Sequence, residues 1–180
     1  MFKRYLVIAA LALLAFGATQ ASALDFEQKS FYGQGMVSMP IGDWSDFVNM
    51  GFGGGVGMHV PHNDQMSFRG EVSYIYYGTD ADFFGDDYDV SANSIPILAL
   101  VQYNMADSPF YLVGGLGFVM LTVDVEYTGA FGSFSADDSS TELGLVAGAG
   151  YAVNEKLSIE GRFSLVSDAN SLNVGGVLHF

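Results

Sequence analysis

The stretch Leu157-Ser158-Ile159-Glu160-Gly161-Arg162-Phe163-Ser164-Leu165-Val166 decides the fold. Leu157, Ile159, Gly161, Phe163 and Leu165 share one parity; Ser158, Glu160, Arg162 and Ser164 share the other. Alternation of this kind is the signature of a strand, whose successive side chains point to opposite faces. Just upstream, Asn154-Glu155-Lys156 are turn formers. Before them Leu143, Leu145, Ala147, Ala149, Tyr151 and Val153 again fall on one parity. Two alternating runs joined by so short a turn read as an antiparallel hairpin.

The same unit recurs along the chain. Phe68, Gly70, Val72, Tyr74 and Tyr76 oppose Ser67, Arg69, Glu71 and Ser73, and Leu172, Val174, Leu178 and Phe180 oppose Ser171, Asn173 and His179. Alternation and turn residues together predict eight strands, at 30–39, 51–60, 66–77, 93–104, 110–123, 141–153, 157–166 and 171–180. Three connections are tight turns of about four residues. Three of the other four are longer, at 40–50, 78–92 and 124–140, and the brief 167–170 joins the last two strands.

An even number of antiparallel strands with short turns at one end and long loops at the other is the pattern of a transmembrane β-barrel. Each strand reaches the roughly 9 to 11 residues that a bilayer crossing needs. Closure leaves no unpaired backbone edge in lipid. The expectation is therefore an all-β, eight-stranded, up-and-down barrel with apolar parities toward lipid and polar parities toward the lumen. Tyr76, Tyr103, Phe110, Tyr151 and Phe180, near strand ends, are placed as interfacial girdles. Strands one, two, four and five assign their faces less clearly, because glycine or apolar residues occupy both.

Composition bounds the rest. The 180 residues carry 20 acidic against 6 basic side chains, a net charge of −14, yet half are apolar, which excludes a disordered acidic chain. So acidic a surface excludes nucleic acid as a partner. Without cysteine there is no disulfide scaffold, thiol catalysis or cysteine-bound zinc. Lys3 and Arg4, the apolar run 5–16 and the small residues ending Ala21-Ser22-Ala23 form a secretory signal. Residues 1–23 are expected to be removed after Ala23, leaving 24–180 as one barrel domain. That removes Lys3 and Arg4 and no acid, so only Lys29, Arg69, Lys156 and Arg162 remain as bases.

Three segments resemble the small eight-stranded outer-membrane barrels, the group of OmpX, the OmpA barrel and the opacity proteins. Pro109-Phe110-Tyr111-Leu112-Val113-Gly114-Gly115-Leu116-Gly117 is similar to a strand of that group in which aromatics lead into glycines. The hairpin from Gly148-Ala149-Gly150-Tyr151 into Leu157-Ser158-Ile159-Glu160 resembles its penultimate hairpin. Leu172-x-Val174-x-Gly176-x-Leu178-x-Phe180 resembles the C-terminal signal read by the barrel-assembly machinery, with Leu178 and Phe180 as its carriers. Gly176 stands where a bulkier residue is usual and Leu178 where an aromatic is common. The resemblance implies a monomer in the bacterial outer membrane, among lipid and lipopolysaccharide, delivered by periplasmic chaperones to the assembly machinery. A soluble lipocalin-like barrel is the rival architecture and would invert the two faces. The loop asymmetry and Phe180 favour the membrane.

Candidate chemistry is sparse. Arg69 and Glu71 on strand three, Glu160 and Arg162 on strand seven, share the lumen parity. The two strands lie on opposite walls and run the same way, so Arg69 should stand level with Glu160 and Glu71 with Arg162. Burying these charges unpaired is costly, so a neutral network filling the lumen is expected, read as a static polar core or as the gate of a narrow pore. His59, His62 and His179 fall at the short-turn end, away from the outer leaflet on which lipid A-modifying barrels act. No catalytic residue, cofactor or metal ligand is assigned. His59 and His179 face inward from strands flanking strand one. Asp80, Asp82, Asp86, Asp87 and Asp89 form an acidic loop that departs from a calcium-binding hand at Phe84 and Ser91 and fits either a solvated loop or loose divalent-cation binding. Phe83, Phe84, Tyr88, Tyr127, Phe131 and Phe134, with Trp44 and Phe47, are read as packing over the barrel mouth or as a binding surface. The expected role is structural or surface interaction through the acidic loops, in adhesion or envelope integrity, with an unidentified surface ligand. The alternatives are a narrow small-solute channel and a lipid-modifying enzyme.

Overall fold

Eight strands close on themselves in chain order: β1 (Ser30–Pro40), β2 (Gly51–Pro61), β3 (Met66–Tyr77), β4 (Asp87–Asn104), β5 (Phe110–Gly129), β6 (Gly132–Ala152), β7 (Leu157–Val166) and β8 (Ser171–His179). This computed structural model describes residues 28–78, 87–129, 132–167 and 169–180, with backbone only at 87–90, 125–129 and 132–137. Residues 1–23, the loop acids Asp80, Asp82 and Asp86, and Phe83, Phe84 and Phe131 lie outside the described residues, and the side chains of Asp87, Asp89, Tyr88, Tyr127 and Phe134 are likewise not described. Every neighbouring pair is antiparallel. The barrel is sealed by β1 on β8, from Tyr32 opposite His179 to Pro40 opposite Ser171. The β3–β4 pairing lapses where Ser73 and Tyr74 face Pro96 and Ile95. Proline has no N–H to give a ladder.

The expected loops at 78–92 and 124–140 are largely strand instead. β4 begins at Asp87, and β5 and β6 pair from Phe110 opposite Tyr151 up to Gly129 opposite Gly132. The expected strands end where acids enter the alternation. Beyond a membrane, however, a ladder needs only paired backbone, and Val123, Val125 and Tyr127 keep period two and strand-favouring types.

The two faces fall as expected. In β3, β7 and β8 the apolar parity points outward and Ser67, Arg69, Glu71, Ser158, Glu160, Arg162, Ser171 and Asn173 are buried inside. Tyr76, Tyr103, Phe110, Tyr151 and Phe180 are exposed on the outside. β4 and β5, two of the strands whose faces the sequence leaves ambiguous, line an apolar part of the interior with β6, where Leu98, Leu100, Val113 and Val146 pack together. At the long-loop end a one-turn helix, Gly42–Asp46, brings Trp44 over the opening. Its ring meets Tyr77 edge-on at 5.8 Å and packs against two clusters, one of Val48, Ile75, Tyr77 and Ala92, the other of Val119, Val166 and Ala169. Asn49 N–H to the Gly78 carbonyl (2.8 Å) and Ile41 N–H to the Asn170 carbonyl (2.9 Å) hold this loop down.

Candidate functional site: the barrel lumen

The lumen is crossed by four buried charges in a closed ring. An Arg69 terminal nitrogen donates to Glu160 Oε1 at 2.5 Å, and an Arg162 terminal nitrogen donates to Glu71 Oε1 at 2.5 Å. Arg162 Nε donates to Glu160 Oε2 at 2.5 Å, and the second Arg69 terminal nitrogen stands 3.5 Å from Glu71 Oε2. Each arginine therefore touches both glutamates. The structure brings together Arg69 with Glu160 and Glu71 with Arg162, the two pairs at matching heights on β3 and β7. The ring is neutral, which is how an interior too narrow for much water can hold four ions.

Two tyrosines complete the ring, and neither was singled out from sequence. The Tyr32 hydroxyl donates to Glu71 Oε2 at 2.7 Å and the Tyr111 hydroxyl donates to Glu160 Oε1 at 2.6 Å. The local folding repeats on opposite walls. Tyr32 pairs with Gly57, and Gly57 with Glu71. Tyr111 pairs with Gly150, and Gly150 with Glu160. In each row the tyrosine ring lies across the glycine between it and its carboxylate. A Cβ on Gly57 would collide with the Tyr32 ring, and one on Gly150 with the Tyr111 ring. Arg69 adds a stack on the Tyr32 ring (4.5 Å to the centroid) and donates from Nε to the Tyr32 hydroxyl (3.2 Å) and from a terminal nitrogen to Gln102 Oε1 (3.2 Å).

Space is divided by this ring. Toward the long-loop end a narrow cavity of about 40 Å³ runs from Glu71 and Arg162 to Tyr77, Leu121 and Ala169, room for a few waters. Toward the short-turn end a vestibule of about 360 Å³ opens outward past Gln102, Asn104, Tyr111, Ser158, His59 and His179. His59 and His179 both face this vestibule, while His62 lies in the β2–β3 turn edge-on to Phe68, 5.8 Å between ring centroids. Trp44 packs into the mouth, whereas Phe47 remains 72% exposed. Leu178 and Phe180 are exposed on the outer face of β8 and just beyond it, Phe180 bonding from its N–H to the Phe31 carbonyl (2.9 Å). Among the described residues no group of three or more His, Asp or Glu stands ready to hold a metal.

This geometry finds matching relatives. The family model of the outer membrane protein beta-barrel domain matches residues 8–179. Among solved structures, the attachment invasion locus protein Ail of Yersinia pestis superposes with a TM-score of 0.61 at 15% identity, covering 84% of this chain and 97% of that one. Neisserial surface protein A does so at 0.56 and 18% identity, covering 83% and 95%. The N-terminal barrel domain of Pseudomonas aeruginosa OprF gives 0.57 at 12% identity, covering 84% and 97%. No curated protein matches the chain in sequence. The chain belongs to the outer-membrane β-barrel family and is a protein of the bacterial outer membrane, crossing it with eight strands.

Proposed function

We propose that this outer-membrane barrel is closed to solutes and acts at the cell surface, through its long-loop end, in adhesion or envelope integrity. The observation that carries this reading is the buried ring of Arg69, Glu71, Glu160 and Arg162, with every carboxylate held by both arginines and by a tyrosine. Opening a path would separate four charges in a narrow interior, at a cost of several kcal/mol per ion. Trp44 over the other end adds a second barrier. Both carboxylates of the ring, Glu71 and Glu160, are held by arginine and tyrosine and so are not free to act as a base, which supports a non-enzymatic role. The ring acts as a static polar core in this reading, and the chain works as a monomer. Leu178 and Phe180, exposed beside the β1–β8 seam, suit presentation to the barrel-assembly machinery after chaperone delivery and removal of residues 1–23. Lipid and lipopolysaccharide surround the apolar outer face.

Ail has been crystallised with the heparin analogue sucrose octasulfate. That polyanion is a poor guide to the ligand of this chain, whose charge is −14 and whose mouth carries the exposed Asp43, Asp46 and Asp138. A cationic or apolar surface partner fits that field better. Planar-bilayer recording on the purified protein tests the closed reading. Silence, or rare and unreproducible events, is expected. Steady unitary conductance that changes on Glu71→Gln would replace this reading with that of a gated narrow pore.

A further inference from the structure

We propose that His59 and His179 form a divalent transition-metal site in the vestibule at the short-turn end. They sit on strands that do not touch. His59 pairs with Ser30 on one side of β1, and His179 with Tyr32 on the other. Inward side chains converge in so narrow a barrel, and the two imidazoles stand 6.4 Å apart between centroids, at 82° to each other. An imidazole ligating at about 2.1 Å has its ring centre roughly 3.2 Å from the ion. The observed separation therefore equals the full span of one shared ion, and a small turn of either side chain bends that span toward the angle a coordination sphere requires. Among the described residues neither imidazole has a hydrogen-bond partner. Both rings line the water-open vestibule, with Asn104, Asn154 and Glu155 on its wall.

The surroundings fit a weak, exchangeable site. Arg69 lies deeper and opposes a cation at the pair, an effect that its ring partners Glu160 and Glu71 offset in part, so binding is weak. No third imidazole or carboxylate stands beside the pair among the described residues, so water completes the shell. Imidazole nitrogen with water suits Cu²⁺ most tightly, then Zn²⁺ and Ni²⁺, over Mg²⁺ or Ca²⁺. An ion held by both rings joins β2 to β8 across β1, and so braces the strands that close the barrel.

The test uses untagged protein purified from outer membranes in detergent, stripped with chelator, and titrated with Cu²⁺. One ion per chain is expected, displaced by Zn²⁺ and not by Mg²⁺, with an electron paramagnetic resonance spectrum carrying the splitting of two nitrogens. His59→Ala and His179→Ala should each weaken binding by at least about 10-fold, the low end of what even supporting residues contribute to a metal site. His62→Ala should leave it unchanged. Folding of each variant is checked by its heat-shifted gel band. A wild-type spectrum without nitrogen splitting overturns the proposal and depends on no variant. So does binding that survives both substitutions or is lost with His62→Ala.

Discussion

The Tyr111 hydroxyl and the Glu160 carboxylate meet at 2.6 Å across the bare backbone of Gly150. Hydrogen bonds to charged groups contribute about 1.5–3 kcal/mol. Tyr111→Phe removes that donor and little volume, while both arginines still hold Glu160. A destabilisation of that size is expected, read as a lower temperature for the loss of the fast-migrating folded band. An unshifted temperature would mean that the hydroxyl contributes nothing beyond ring packing.

Glycine at 57 and 150 leaves room for those rings. Gly150→Ala and Gly57→Ala should displace the tyrosine ring and lower folded yield. Gly35→Ala, Gly70→Ala and Gly161→Ala are the matched controls, since a Cβ at each meets nothing within 4 Å. The outcome that counts against this account is equal tolerance in the two sets.

Removing one partner of a buried ion pair costs about 3–5 kcal/mol, because the other charge is stranded. Glu71→Ala leaves Arg162 and Arg69 sharing one carboxylate and should fall in that range. The double variant Glu71→Ala with Arg162→Ala should be less destabilised than the sum of the two single variants. Strict additivity in this double-mutant cycle, or an unchanged heat stability for Glu71→Ala, would show that the four charges do not act together.

Trp44 is the sole tryptophan of the chain, so fluorescence reports the mouth without competition. Packed against Tyr77 and between two apolar clusters, it should emit at shorter wavelength than in the heat-denatured protein and resist quenching by acrylamide. Quenching in the folded state as fast as in a free tryptophan amide would remove the lid.

How much of this was legible in the sequence depends on which contacts are local. The position of Glu160 opposite Gly150 could be counted back through the short turn at Asn154-Glu155-Lys156. The level meeting of β3 with β7 followed from strand parity and direction. Tyr111 opposite Gly150 could not be counted, because that register passes through the far end of the β5–β6 hairpin, which runs past the expected strand ends to Gly129 and Gly132. Tyr32 was hidden differently. Glycine fills most of the inner face of β2, so beyond the inward parity of His59 little in β1 or β2 marks what lies inside. Its signal was the inward glycine run Gly51, Gly53, Gly55 and Gly57, a face without side chains that a neighbouring ring must cover. Phe47 and Trp44 carry identical evidence in sequence, and only packing separates the exposed Phe47 from the half-buried Trp44. The pairing of His59 with His179 arises from barrel closure alone, which no local pattern encodes.

The unequal strand lengths set how crowding falls on this molecule. β5 and β6 run 20 and 21 residues, whereas β7 and β8 run 10 and 9 on the adjoining wall. At about 3.3 Å per residue the rim is therefore a slope, tall on one flank and low on the other. A neighbouring barrel or a packed sugar chain can press close to the low flank and is held off by the high one. Anything that approaches the rim from outside then meets one raised edge first, so access is lopsided, governed by the azimuth of the protein in the membrane as much as by the residues at its tip.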